Sequence, residues 1–241
     1  DCIREVLTMV DLKAKPFCLS DADIAWVERT IAEMTDREKI GQLFVNMNAS
    51  TEPAYMQGIL DQYHIGGTRY PNRTAAQIYD QNRYLQEHSR IPLLIAANCE
   101  SGGNGGMSDG TLVATSAMSG AASTDEVAYS AGYVSGREAE AVGCNWNFAP
   151  VSDVYLNWRN TIVNTRAYSS DPDKVLSRSL AFMKGVRQSH VIACSKHYPG
   201  DGHEERDQHL LMGVNGLSVA EWDETYGKVY RGLIDAGIHS F

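Results

Sequence analysis

Short apolar runs alternate with longer stretches of helical period along this chain of 241 residues. The runs 42–47, 63–68, 92–97, 144–149, 191–195 and 238–241 are bounded by Gly and Pro, and their length fits buried strands. Between them, capping-box spacings mark helix starts at Thr35 with Glu38, Thr74 with Gln77, Ser123 with Glu126, and Ser218 with Glu221. A further helix opens at Asp171-Pro172-Asp173, proline being suited to the first turn, with Leu176, Leu180 and Met183 as its stripe. The Ser218 helix carries Trp222, Tyr226, Val229, Tyr230 and Leu233 at helical spacing and stops at Gly237. Strand and helix therefore alternate about six times, which implies a parallel sheet with right-handed crossovers: α/β, as a doubly wound sheet or a (β/α)₈ barrel. Phe241 falls inside the sixth strand-like run, so a barrel reading predicts one truncated after about six strands.

Length and 43% apolar content suit one large domain. We place its start at residue 35, with residues 1–34 as a helical lead-in and 35–241 as the barrel domain. A net charge of -9 argues against an extended nucleic-acid contact, which needs clustered Lys and Arg. No apolar run reaches the roughly 18 residues of a membrane span. The first residues lack the basic and apolar blocks of a signal peptide, although a leader removed before residue 1 would leave no trace. The five cysteines, Cys2, Cys18, Cys99, Cys144 and Cys194, are odd in number and widely spaced, and the last three lie in or beside apolar runs. This usage fits reduced core thiols and a cytoplasmic protein, with a Cys2–Cys18 bridge as the one pairing left open. Oligomeric state is not encoded in any of these features.

Chemistry concentrates in 196–209, KHYPGDGHEERDQH, where three histidines, four carboxylates, a lysine and an arginine follow the fifth apolar run. The end of a strand in a parallel sheet is where such groups act on ligands. Asp207 and His209 are two residues apart. They either form a dyad, the carboxylate fixing the imidazole tautomer so that the other nitrogen exchanges a proton, or are two solvated loop residues. Lys196 and His197 either reach ligand hydroxyls or end a strand at water. Arg166, in NTRAYSSDPD, is a ligand clamp or a surface charge. The run NCESGGNGG after the third strand allows close backbone approach but lacks the lysine and hydroxyl of a P-loop; Asn98 and Glu100 share a face only if it stays extended. His197, His203, Glu204, Asp207 and His209 have no recognised metal-ligand register, so no metal is expected.

These residues resemble the N-terminal domain of glycoside hydrolase family 3, in its β-N-acetylglucosaminidase branch. The branch signature, KH(F/Y)PG followed by a polar loop and Asp-x-His, stands here as Lys196 to His209, with KIGQLF at 39–44 and NWNFAPVSDV at 145–154 as further matches. The resemblance implies a (β/α)₈ barrel that removes terminal N-acetylglucosamine from β-linked glycans or peptidoglycan fragments with retention and without cofactor. It makes His209 the acid/base, Asp207 its orienter, and Lys196, His197, Arg166 and Asn98 sugar-binding residues. Its departures are Asn98 where the family commonly has Asp, Asp201 where it often has His, and a nucleophilic aspartate expected beyond residue 241. Phosphate in place of water as acceptor, a family 3 β-glucosidase, and a catalytically silent sugar-binding module are the rival readings.

Overall fold

The computed structural model describes residues 10–15 and 17–241. Cys2, and with it the Cys2–Cys18 pairing, lies outside the described residues. Cys18, Cys99, Cys144 and Cys194 form no disulfide with one another, and the last three are buried.

Five strands form one parallel sheet in the order β1-β2-β3-β4-β5, so each crossover places the next strand beside the last. They are β1 Val45–Met47, β2 Gly67–Arg69, β3 Leu94–Ala97, β4 Trp146–Asn147 and β5 Ile192–Ala193. The first five strand-like runs each contain or overlap a strand, but the strands are shorter than the apolar runs. The sixth run contributes a single parallel bridge from Ser240 to Cys194. The run 63–68 splits: Tyr63 ends a helix, His64 turns left-handed, and pairing begins only at Gly67. Apolar residues there continue across a helix end into a strand, so hydrophobicity alone blurs the junction.

The helices on the outside are α1 Asp21–Glu33, α2 Asp36–Gly41, α3 Pro53–Tyr63, α4 Ala75–His88, α5 Ser116–Ala121, α6 Glu126–Ala141 and α7 Pro172–Val186. A last rod joins α8 Val219–Trp222 through the π-helical Asp223–Gly227 to α9 Lys228–Asp235. Thr35, Thr74 and Ser218 each form the reciprocal capping box read from the sequence, and Ser20 with Asp23 makes a further one at α1. The Ser123 box does not form: α6 starts after Asp125, with no side-chain cap. Asp125 instead pairs with Arg178 and accepts from Ser177 Oγ at 2.6 Å, a tertiary engagement that outweighs local capping. On α7 the buried stripe is Val175, Ser179, Phe182, Met183 and Val186, with Leu176 and Leu180 half-buried beside it. The shift follows from α6, which presents Ala128, Ala131, Gly132, Ser135 and Gly136 as a face of small side chains. A Cβ on Gly132 would sit 2.1 Å from the Phe182 carbonyl oxygen, so the two helices meet backbone to backbone.

The core lies between sheet and helices, built from Ile78, Leu85, Ile95, Val154, Val175, Phe182, Tyr226 and Leu233, all fully buried. Two asparagines of NWNF stitch β4 to β3. Asn145 accepts from Ile95 N–H at 2.7 Å, and Asn147 accepts from Cys99 N–H at 2.9 Å while donating to the Cys99 carbonyl at 3.0 Å. These bonds fix the loop that leaves β3 for the site.

Candidate active site

The loops leaving the carboxyl ends of β3, β4 and β5 converge on Glu100. Its carboxylate accepts two hydrogen bonds from Arg166, at 2.8 and 2.9 Å, and one from Lys196 Nζ at 2.6 Å. Burial works to raise the Glu100 pKa, yet the Arg166 and Lys196 contacts prevail and hold it at about 2. Lys196 is pulled the other way, its pKa lowered by burial although Glu100 opposes the change. One carboxylate shared by two cations leaves unused N–H donors, a suitable surface for the hydroxyl oxygens of a polar ligand. The segment after β3 does not stay extended: Glu100 N–H folds back to the Asn98 carbonyl at 3.0 Å, and this turn aims Glu100 at the cations. Asn98 directly follows β3, with its side-chain oxygen buried and without a hydrogen-bond partner among the described residues.

His197 is clamped from both sides. Arg166 approaches Nε2 at 3.2 Å, and because arginine can only donate, Nε2 accepts and the ring proton sits on Nδ1. That Nδ1–H donates to Asp153 at 2.7 Å, and Asp153 also accepts from the His197 backbone N–H at 3.1 Å. Asp153 is fully buried and receives a third bond, from Asp201 N–H at 2.7 Å. Sequence reasoning gave Asp153 no role, although it lies within NWNFAPVSDV; it is 44 residues from its partner, so only the pairing of β4 with β5 brings them together. Asp201, 4% exposed, has its pKa raised to about 6 by burial and by the neighbouring Asp153 charge.

The loop 203–216 carries the other pair. His209 Nδ1 meets Asp207 Oδ1 at 2.8 Å, and the His209 backbone N–H adds a bond to the same oxygen at 2.9 Å. Both bonds lower the Asp207 pKa, the backbone one more. His209 is 78% exposed and touches none of Lys196, His197 or Arg166, so the structure assembles the dyad at a distance from the cation cluster. The loop is rooted by Asn160, which donates to the Asp201 and Glu204 carbonyls at 2.5 Å each, and by Glu204, which accepts from Arg206 and from Val214 N–H. Beyond the dyad, Leu210, Leu211, Met212 and Val214 are all exposed. His197 is committed to Asp153 and Glu204 to Arg206; among the described residues no three His, Cys, Asp or Glu side chains are grouped to hold a metal.

The last helical rod clamps the KHYPG segment from behind. Trp222 Nε1 donates to the Pro199 carbonyl at 2.6 Å, Tyr226 to the Val154 carbonyl at 2.9 Å and Tyr230 to the His197 carbonyl at 3.0 Å.

A parallel α/β sheet with its ionisable groups at the carboxyl ends of the strands defines the class of domain. The chain belongs to glycosyl hydrolase family 3: residues 35–241 match the Glycosyl hydrolase family 3 N terminal domain. A β-N-acetylglucosaminidase/β-glucosidase of Cellulomonas fimi is 42% identical over 231 residues, covering 95% of this chain and 41% of that protein. A β-hexosaminidase of Chromobacterium violaceum is 33% identical over 114 residues, 47% of this chain and 31% of that protein. Among solved structures, a β-glucoside phosphorylase bound to 2FGlc superposes with a TM-score of 0.91 at 38% identity, over 95% of this chain and 41% of that one. A family 3 β-N-acetylglucosaminidase from Paenibacillus sp. superposes with a TM-score of 0.80 at 27% identity, over 85% and 41%. The chain thus spans about two fifths of the length of the Cellulomonas relative and of both structures.

Proposed function

We propose that this chain is the barrel part of a retaining exo-β-N-acetylglucosaminidase that acts on terminal β-linked N-acetylglucosamine of glycans or peptidoglycan fragments. The observation that carries the reading is the Asp207–His209 contact, which occupies Nδ1 and leaves Nε2 to exchange a proton at an exposed loop above the strand ends. In the first step the His209 imidazolium gives its Nε2 proton to the glycosidic oxygen as the C1–O bond breaks. A carboxylate attacks C1 to form the covalent intermediate; the family resemblance assigns that nucleophile to an aspartate outside these 241 residues. In the second step the neutral imidazole takes a proton from water as the water oxygen attacks C1 and the C1–carboxylate bond breaks, which frees the sugar and returns the carboxylate and the imidazolium. Lys196, Arg166, His197 and Asn98 hold the sugar, without cofactor. The 241 residues alone are inactive on this reading, because protonation without a nucleophile forfeits the covalent step. Free buried thiols support a cytoplasmic location.

A second reading is favoured by the β-glucoside phosphorylase structure and by the two activities in the Cellulomonas protein's name. A neutral base repels an incoming anion less than a carboxylate does, so phosphate can replace water as acceptor. A panel of p-nitrophenyl glycosides on the full-length protein, with and without phosphate, decides between them. Cleavage of the N-acetylglucosaminide in phosphate-free buffer supports the first reading. Cleavage of the glucoside alone, or turnover only with phosphate, overturns it. His209→Ala should lose on the order of 10²- to 10⁴-fold in rate, and less with a good leaving group.

A further inference from the structure

Between the two dyad residues stands Gln208, an exposed residue whose side-chain amide reaches the base of the loop rather than either dyad partner. Its Nε2 donates to Oδ1 of Asp201, a carboxylate 4% exposed at the loop's base. Asp201 in turn gives its backbone N–H to Asp153 at 2.7 Å, and Asp153 holds His197 at 2.7 Å. A continuous set of hydrogen bonds therefore runs from the cation cluster, through His197, Asp153, Asp201 and Gln208, to the peptide that carries Asp207 and His209. Without the Gln208 bond, nothing between Asp207 and His209 reaches the buried frame: Asp207 and His209 bond each other, and the next two residues bond back to the Asp207 carbonyl. We propose that Gln208 and Asp201 form a latch that positions the Asp207–His209 pair relative to the sugar-binding cluster, making both of them positioning residues for proton transfer.

The proposal rests on the acid/base assignment of His209 and adds to it. A dyad held at its root delivers the proton along one direction; an unlatched one samples many, and a displacement of an ångström is enough to cost about 10²-fold in rate. Glutamine and aspartate suit this role, because the amide donates without titrating and the buried carboxylate has few other donors to satisfy it. An aspartate whose pKa lies near 6 also keeps a carbonyl-type acceptor in both protonation states, so the latch persists across neutral pH.

The test uses the full-length protein and two aryl glycosides of the sugar it cleaves, one with a poor leaving group (4-methylphenyl) and one with a good one (2,4-dinitrophenyl). Gln208→Ala should lower kcat/KM, which reports the first, proton-donating step, roughly 10- to 100-fold for the poor leaving group and leave it within about threefold for the good one. Asp201→Ala should do the same, the double variant should be no worse than either single one, and Asp201→Asn, whose amide oxygen still accepts from Gln208, should keep most of the rate. Because Asp201 is buried, Gln208→Ala on the exposed loop is the decisive variant if Asp201→Ala fails to fold. Equal losses for both leaving groups, or no loss, overturn the latch. His209→Ala run in parallel separates the two claims: if it too is blind to the leaving group, the acid/base assignment has failed, whereas dependence in His209→Ala without dependence in Gln208→Ala rejects only the latch.

Discussion

Glu100 shows how one side chain decides the electrostatics of the site. Its carboxylate titrates at about 2 when folded, against roughly 4.3 in an unfolded chain, so its contribution is complete above pH 5 and disappears as the pH falls toward 2. We expect Glu100→Gln to cost on the order of 3 kcal/mol at pH 7, by leaving the half-buried Lys196 and Arg166 without their shared counter-charge, and to flatten the acid limb of stability. Thermal melts between pH 3 and 7 check this; parallel curves for the two proteins would contradict it. Asp201 behaves in the opposite sense. Its folded pKa of about 6 lies above the unfolded value, so its neutral form favours folding below about pH 4 and that support is lost as the pH rises through 6. Asp201→Asn should therefore raise Tm at pH 8 and bring little change at pH 4. At this scale the sequence displayed the residue types that meet at Glu100 without their partnerships. Lys196, His197 and Arg166 were legible as ligand-facing candidates because they stand at strand ends or in punctuated loops. Asp153 was not, since an Asp among apolar residues after β4 carries no local sign of a histidine 44 positions away.

Helix starts were the most legible elements, because a capping box is a local hydrogen-bond pattern that needs no tertiary partner. The box at Ser123 did not form because Asp125 was engaged by α7, a contact that no local pattern announces. The π-helical turn at Asp223–Gly227 was likewise invisible, although the helical spacing of Trp222, Tyr226 and Tyr230 was clear. All three donate to loop carbonyls from one side, so the rod does more than bury apolar area. Tyr230→Phe keeps the ring and removes the donor to the His197 carbonyl; we expect a loss of about 1–3 kcal/mol in chemical denaturation and a fall in kcat/KM. An unchanged denaturation midpoint would show that solvent replaces the phenol. Gly200 depends on the same rod. Its φ of +125° is strained for any side chain, and a Cβ there would come within 2.6 Å of the Tyr226 ring. Gly200→Ala should therefore destabilise more than Tyr230→Phe does.

At the scale of the molecule, the alternation of apolar runs and helices was enough to read a parallel sheet, because each crossover returns the chain to the next strand position. Strand length was not legible, since strands buried by helices look the same as the apolar turns flanking them. The outer edge of β1 pairs with no strand among the described residues, and Ile40, Leu43, Phe44, Val45 and Met47 are exposed around it. Phe44, Val45 and Met47 with Tyr55 and Tyr63 line a groove of about 910 Å³ on this side. An unpaired edge flanked by apolar side chains invites pairing with another chain. The 241 residues produced alone should bind a hydrophobic dye and self-associate at micromolar concentration, and Val45→Lys should reduce both. Size-exclusion chromatography with light scattering checks this, and a monomeric elution for the unmodified chain would refute it.

The indole of Trp222, tied at 2.6 Å to the carbonyl of Pro199, also has a practical consequence. Its emission senses the backbone that carries His197, so docking of a sugar should shift or quench the intrinsic fluorescence without any attached label. Replacing the exposed Trp26 and Trp158 by phenylalanine would leave Trp146 and Trp222 as emitters. A titration that moves the spectrum of this variant but not of one that also lacks Trp222 would turn the protein into its own optical sensor for saccharide occupancy.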